Sequence, residues 1–169
     1  AFLGQMLILY ILCLKISFIR NEMSKDKYIK KINNLIKLPS AIDDILKKES
    51  QIQLVAKDIY ESKGSMFLGR GTSFPIALEG ALKLKELSYL HAEGYPAGEM
   101  KHGPLALIED GLPVIVIAPR DKYFEKTFSN TQEVIARGGK VLLITDKHDM
   151  TINENIRFKI NVPFIEESL

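Results

Sequence analysis

The sequence predicts an α/β fold in which a parallel sheet is flanked by helices on both faces and preceded by a helical arm. From residue 64 onward, short apolar runs alternate with helical segments, which is the pattern of strand–helix–strand units. These runs are apolar at nearly every position, as expected for strands that are buried on both faces. Before residue 65 the chain shows helical periodicity and no strand candidate. We therefore expect a helical arm over residues 1–63 and a sheet domain over residues 64–169.

The composition limits the classes of protein that need to be considered. A chain of 169 residues, 46% of them hydrophobic, can bury one substantial core. The formal net charge is only +2 and the signs are mixed along the chain, so we expect no nucleic-acid partner. The single cysteine, Cys13, excludes a disulfide framework and favours a reducing, cytoplasmic location. We expect Cys13 itself to be a small core residue.

The arm starts with an apolar run over residues 1–18. Gln5 and Lys15 interrupt this run, and neither a basic leader nor a small-residue cleavage site accompanies it. We therefore predict a core helix rather than a membrane span or a signal peptide. Because the chain starts abruptly at Ala1, we also expect that upstream sequence is missing and would pack against this helix.

The rest of the arm has the spacing of amphipathic helices. Apolar residues recur at helical intervals among lysines over residues 25–38, and Pro39 and Ser40 break and restart the pattern. A further helix is predicted over residues 51–62, and Lys63 and Gly64 end it. The lysine-rich faces are most simply solvated faces.

The sheet domain is predicted to consist of alternating strands and helices. We predict strands at 66–68, 113–118, 141–145 and 158–162, the last one short and at an edge, with helices at 75–90 and 122–137. In a parallel sheet, ligands bind outside the carboxyl ends of the strands. The loops after Leu68, Ala118 and Thr145 are therefore expected at the chemically useful edge.

The first of these loops is rich in glycine. Gly69 and Gly71 suggest a dinucleotide site, but Phe74 occupies the position of the third glycine, so we expect no nucleotide cofactor. Thr72 and Ser73 precede a proline and predict a helix cap. The same exposed amides could hold a phosphate or a carboxylate, and the sequence leaves both functions open.

The helix after this loop carries one charged row on a largely apolar surface. Glu79, Lys83 and Glu86 are spaced i, i+4 and i+7, so they share one face within reach of each other. Such a row can line a polar cleft. It can equally be an ordinary ion pair on a helix surface.

Of the three histidines, His102 is the best candidate for a catalytic residue. It lies in a segment rich in glycine and proline, where a rigid loop can present an imidazole as a general acid or base. His148 lies in a polar turn and is expected at the surface. A metal site that uses His91, Glu93, Glu99 and His102 would need an unusual spacing, so we expect no metal.

Several motifs together resemble a known family. They are Phe67-Leu-Gly-Arg-Gly71, the run from Pro75 to Glu86, His91-Ala-Glu93, and the run from Lys101 to Leu107. In this combination they resemble the second sugar-isomerase (SIS) domain of the glutamine–fructose-6-phosphate aminotransferases. The likeness is dense over about the last hundred residues, and the helical arm resembles the end of the first SIS domain and its linker.

The resemblance implies a reaction and roles for individual residues. Enzymes of this family make glucosamine 6-phosphate from fructose 6-phosphate and ammonia derived from glutamine. Glu86 would move a proton between C1 and C2 of the sugar, with Lys83 tuning the charge beside it. His102 would open the sugar ring and act in the site of a neighbouring subunit, which implies a homodimer. Glu79 would have a supporting role. The resemblance places the main phosphate site upstream of Ala1, and Thr72 and Ser73 stay candidates for contact with the substrate because of the exposed amides at the start of their helix.

Parts of the family pattern do not occur in this sequence. The Ser/Thr-rich phosphate loops of the first SIS domain, the glutaminase domain and the carboxyl-terminal lysine tail have no counterpart here, so we expect the chain to be inactive alone. Two alternatives stay open: a phosphosugar isomerase or deglycase without a glutaminase, and a non-catalytic SIS domain that senses sugar phosphates. We expect no association with a membrane.

Overall fold

A computed structural model describes residues 2–148 and 156–165. The chain forms two compact units, divided between residues 43 and 44. The elements are α1 (Phe2–Ile19), α2 (Lys25–Ile36), α3 (Leu38–Leu46), α4 (Glu49–Tyr60), β1 (Gly64–Gly69), α5 (Ser73–Ser88), β2 (His91–Pro96), β3 (Pro113–Ile117), α6 (Phe124–Ala136), β4 (Lys140–Thr145) and β5 (Ile156–Asn161). Two 3-10 helices, Ala97–His102 and Pro104–Leu107, lie between β2 and β3. Our division of the sequence at residue 63 stays a prediction, and α4 belongs to the compact unit that contains the sheet.

The first unit is built on the long apolar helix α1. Ser24 begins α2 by accepting a hydrogen bond from the Lys27 amide at 3.3 Å, and the Phe18 and Tyr28 rings stack at 4.7 Å between centroids. Only Leu14 of α1 is buried among the described residues. The helix is long and apolar enough to cross a membrane by length and composition, and 6% of it is buried. The expectation that Cys13 is a core residue was therefore wrong for the described residues, where Cys13 is exposed. The expectation that upstream sequence packs against this helix stays a prediction.

The second unit contains a five-stranded sheet in the order β2-β1-β3-β4-β5, and every neighbouring pair is parallel. This confirms the predicted parallel sheet. The carboxyl ends of the strands therefore meet at one edge of the sheet. The loops after β1, β3 and β4 lie at this edge, as predicted. β5 lies at one end of the sheet, as predicted. Each of the four predicted strands lies within two residues of an observed one.

Strand β2 was not predicted. His91–Pro96 contains a glycine and a proline and only one fully buried residue, Ala92, so its sequence lacks the apolar run of a central strand. It lies at the edge of the sheet and pairs with β1 alone. An edge strand tolerates a glycine and a proline because the backbone groups on its outer side form no hydrogen bonds to another strand.

Alternate strand residues face two separate cores. Met66, Leu68, Val114 and Val116 pack with α6 and the first 3-10 helix on one side, which we call the α6 face. Phe67, Ile115 and Leu142 pack with α4 and α5 on the other side, which we call the α5 face. Helices thus cover both faces of the sheet, as the apolar strands predicted.

Candidate functional site

Helix α5 begins at the carboxyl edge of the sheet. It starts at Ser73, and Pro75 lies in its first turn, where a missing amide hydrogen has no cost to the helix. Thr72 holds the cap position but its hydroxyl makes no capping hydrogen bond, because its backbone is already helical (φ −65°, ψ −19°). Thr72 therefore occupies the predicted cap position without a side-chain capping hydrogen bond. Ser73 is buried, with 5% of its surface exposed.

The charged row predicted on α5 is present. Ala77 and Ala81 turn into the core of the α5 face. The outer side carries the three charged side chains, where Lys83 Nζ lies 2.5 Å from Glu86 Oε2 and 3.8 Å from Glu79 Oε1. Side chains of Lys83 and Glu86 are each about half exposed, whereas that of Glu79 is 23% exposed. One ammonium therefore bridges two carboxylates, and the more exposed carboxylate, Glu86, is also the closer one.

The Lys83 ammonium is held in its charged form by its neighbours. Its hydrogen bond to Glu86 is the largest cause that raises the Lys83 pKa above 10.5, and the charges of Glu86 and Glu79 act in the same direction. Lys83 is therefore a fixed cation at neutral pH and not an amine nucleophile. A carboxylate next to such a cation can accept a proton from carbon while the cation stabilises the charge that develops on a neighbouring oxygen.

The predicted substrate residues at the start of α5 lie far from this pair. Glu86 follows Ser73 by thirteen residues, which corresponds to about 20 Å along a helix axis. The structure therefore does not bring Thr72 and Ser73 together with Glu86 in one copy of the chain.

His102 ends the first 3-10 helix, directly after β2. Within that helix, Ala97 and Met100 are fully buried in the core of the α6 face. The His102 side chain is 75% exposed, and its Nε2 lies 4.0 Å from Glu99 Oε2. Buried residues thus fix the backbone of this segment, while the imidazole projects into solvent.

Two contacts from α6 tie the same segment in place. Lys101 Nζ lies 3.0 Å from Glu133 Oε1. The side-chain amide of Asn130 faces two carbonyl oxygens, Lys126 O at 2.8 Å and Ala97 O at 3.1 Å, so its nitrogen is the atom that donates to both. Neither Asn130 nor Glu133 was predicted from the sequence to have a role. Their i, i+3 spacing on one helix face was the available signal.

The two parts of the predicted site therefore lie on opposite sides of the sheet. The Lys83–Glu86 pair belongs to α5, whereas the His102 segment packs on the α6 face. A single copy of the chain does not bring His102 together with Lys83 and Glu86.

A further polar group follows the edge strand β2. His91, Glu93 and Tyr95 alternate along the strand, so their side chains share one side of the sheet. The Tyr95 hydroxyl donates to Glu93 Oε2, and His91 Nε2 lies 3.7 Å from Glu93 Oε1. The hydrogen bond to Glu93 is the main cause that raises the Tyr95 pKa above 10.0, and desolvation adds to it. Residues 2–148 and 156–165 contain no group of three or more His, Cys, Asp or Glu side chains that could hold a metal.

Comparison with known proteins places this arrangement in a family. The profile of the SIS domain matches residues 58–168. A glutamine–fructose-6-phosphate aminotransferase [isomerizing] of Bradyrhizobium diazoefficiens is 53% identical over 146 residues, which cover 86% of this chain and 24% of that protein. The protein of the same name from Brucella melitensis is 60% identical over 116 residues, which cover 69% of this chain and 19% of that protein. The chain thus spans about a quarter or less of the length of these relatives.

A solved structure agrees with the sequence comparison. The C-terminal domain of the glucosamine–fructose-6-phosphate aminotransferase from Francisella tularensis superposes with a TM-score of 0.86 at 38% sequence identity. The match covers 92% of this chain and 44% of that domain structure. The parallel sheet and its helices are therefore shared with a protein whose sequence is also similar.

Proposed function

The chain belongs to the SIS domain family, and from that premise we propose that it forms part of the isomerase site of a glutamine–fructose-6-phosphate aminotransferase. The proposed substrate is fructose 6-phosphate, the proposed nitrogen donor is ammonia from glutamine, and the proposed product is glucosamine 6-phosphate. Relatives at 53% and 60% identity carry this enzyme name. The single cysteine favours the cytoplasm as the location.

One observation carries the chemical part of this proposal. Glu86 and Lys83 form a close carboxylate–ammonium pair on an accessible side of α5. Moving a proton between C1 and C2 requires a base that reaches a hydrogen on carbon, and a half-exposed carboxylate meets that requirement. The Lys83 ammonium would stabilise the negative charge that develops on the sugar oxygen next to the carbon that loses the proton. Glu79, on the other side of Lys83, would orient the ammonium and contact the sugar.

His102 would serve the ring-opening step as a general acid and base. Because it lies on the face of the sheet opposite to Glu86, it would act in the site of a second copy of the chain. We therefore propose a homodimer in which each copy provides Lys83 and Glu86 to one site and His102 to the other.

Contacts of Thr72 and Ser73 with the substrate stay a prediction. The separation of about 20 Å along α5 argues against contact with the same hexose as Glu86 of the same copy. Any such contact would require a different ligand or a site shared between copies.

Replacement of Glu86 by Gln in the intact gene product tests the proposal. We expect the rate of glucosamine 6-phosphate formation to fall by about 10²–10⁴-fold, because a positioned general base contributes a factor of this size. Glu109→Gln, which removes an exposed carboxylate outside the site, is the matched control and should leave the rate unchanged. Circular dichroism of both variants would verify folding. Glucosamine 6-phosphate formation at a rate close to wild type in the folded Glu86→Gln variant would reject Glu86 as the base.

A further inference from the structure

Helix α5, which carries the charged row, has a glycine in its interior. Gly80 directly follows Glu79 and precedes Lys83 by three residues. A glycine inside a helix lowers stability relative to alanine, because the unfolded chain has more conformations to lose. The φ of Gly80 is not positive, so the backbone at this position does not itself require glycine. The reason for the glycine therefore lies in what surrounds it.

The ring of Phe67 occupies the space that a side chain at position 80 would need. A Cβ at Gly80 would lie 2.8 Å from Phe67 Cε1 and 2.9 Å from Phe67 Cδ1. Non-bonded carbon atoms normally stay about 3.5–4.0 Å apart, so the ring or the helix would have to move by roughly 0.7 Å. Phe67 lies on β1 and is buried in the core of the α5 face. Because that core is closely packed, we expect the helix to move rather than the ring.

A second close contact places the same helix against the edge strand β2. A Cβ at Gly94 would lie 3.0 Å from Leu78 Cα and 3.1 Å from Leu78 N. The backbone of α5 therefore lies directly against β2 at Leu78 and against the Phe67 ring at Gly80. One glycine on the helix and one on the sheet allow this close approach. The distance between α5 and the sheet is thus fixed at two points.

The position of α5 determines the position of the charged row. The contacts of Lys83 with Glu79 and Glu86 lie within the helix, so a displaced helix would carry the row with it unchanged. The displacement would change the distance from the row to groups outside the helix, including His102 of a second copy. A misplacement of about 1 Å at a reacting centre can lower a rate by about a hundredfold.

We propose that Gly80 and Phe67 are positioning residues for the reacting pair. Their contact sets how far the Lys83–Glu86 pair stands from the sheet, whereas the geometry within the pair follows from the helix alone. The two residues act through α5 and take no part in the chemistry themselves. This inference rests on the proposed function, in which Glu86 is the base.

Replacement of Gly80 by Ala in the intact gene product tests the proposal. We expect kcat for glucosamine 6-phosphate formation to fall by about ten- to a hundredfold. The pKa of Lys83, followed by nuclear magnetic resonance of its side chain, should stay raised because its hydrogen bond to Glu86 lies within the helix. Gly4→Ala is the matched control, since a Cβ on this α1 glycine would meet no neighbouring atom of the described chain within 4 Å. It should leave kcat unchanged.

A second substitution distinguishes positioning from general damage to the fold. Phe67→Leu removes Cε1, so we expect the Gly80→Ala/Phe67→Leu double variant to recover kcat to within about threefold of Phe67→Leu alone. A variant that is merely destabilised would not be corrected by a further loss of core contacts. If Gly80→Ala does not fold, Gly94→Ala displaces the same helix by a smaller distance. That variant should lower kcat by about three- to tenfold and leave the pKa of Lys83 unchanged.

Three results would overturn the proposal. They are a folded Gly80→Ala variant with the kcat of wild type, a loss that Phe67→Leu does not reverse, and a loss accompanied by a lower pKa of Lys83. An active Gly80→Ala variant beside an inactive Glu86→Gln variant would reject this proposal alone. An active Glu86→Gln variant, or a wild-type protein that forms no glucosamine 6-phosphate, would reject the proposed function as well.

Discussion

The two faces of the sheet hold the proposed site residues in different ways. On the α5 face, Glu79, Lys83 and Glu86 belong to one helix, and their contacts follow from its 3.6-residue period alone. On the α6 face, the position of His102 depends on residues distant in sequence, because Met100 is buried in the core and Glu133 contacts Lys101 from α6. The first arrangement is local and needs only a helix. The second exists only when the whole domain is folded.

This difference has a functional consequence. Because the sheet separates the two faces, the proposed site residues of one copy form two groups that do not meet. A second copy whose His102 reaches the charged row on α5 of the first, and whose own charged row receives His102 of the first, would complete both. The position of the sheet is therefore consistent with the proposed dimer, which the family resemblance also implies.

The largest expected effect is a loss of stability when a buried side chain on the α6 face is shortened. Met100→Ala removes a fully buried side chain under the His102 segment, so we expect the free energy of unfolding to fall by about 2–5 kcal/mol. Urea denaturation of the whole chain measures this change. Leu107→Ala, at a position that is 56% exposed, is the control and should cost much less. Equal, small losses in both variants would show that burial does not anchor the His102 segment.

A smaller effect is expected from the ion pair that holds the same segment. Glu133→Gln removes the partner of Lys101, and because this pair is partly exposed we expect a loss of only about 0.2–1 kcal/mol. The resonances of the His102 imidazole should nevertheless shift, since its neighbour in sequence is released. Glu125→Gln removes an exposed carboxylate that pairs with Lys147 and should leave His102 unaffected. His102 resonances that are identical in wild type and Glu133→Gln would exclude a positioning role for the pair.

The smallest expected effect is a change in the pKa of Tyr95 on the edge strand β2. In the folded chain the pKa of Tyr95 lies above 10.0, mainly because its hydroxyl donates to Glu93. The resulting stabilisation is present below pH 10 and is lost as the pH rises through the raised pKa. Glu93→Gln should therefore lower the Tyr95 pKa, as followed by phenolate absorbance against a Tyr95→Phe reference. A Tyr95 pKa that Glu93→Gln leaves unchanged, or that Glu99→Gln lowers as much, would contradict this assignment.

The sequence predicted what depends on local periodicity and missed what depends on tertiary context. The row on α5 was predicted because spacing alone places Lys83 between two carboxylates. Strand β2 was missed because its edge position permits Gly94 and Pro96, which weaken the strand signal. Arg70, after β1, lies over the ring of Tyr123, after β3, because the sheet brings these two loops together, so no pattern within one segment shows this contact. Cys13 was expected in the core because its helix is apolar, although apolar composition does not specify what covers a helix.

The central claim is that one copy supplies Glu86 and another supplies His102 to the same site. Mixing the Glu86→Gln and His102→Asn variants of the intact gene product, under conditions that exchange subunits, tests it directly. Each variant alone should be nearly inactive. Random exchange makes half of the dimers mixed, and each mixed dimer has one complete site out of two. About a quarter of all sites are then complete, so we expect glucosamine 6-phosphate formation to recover to about a quarter of the wild-type rate. Mixed dimers that are verified by mass spectrometry and yet remain as inactive as the parent variants would contradict the claim.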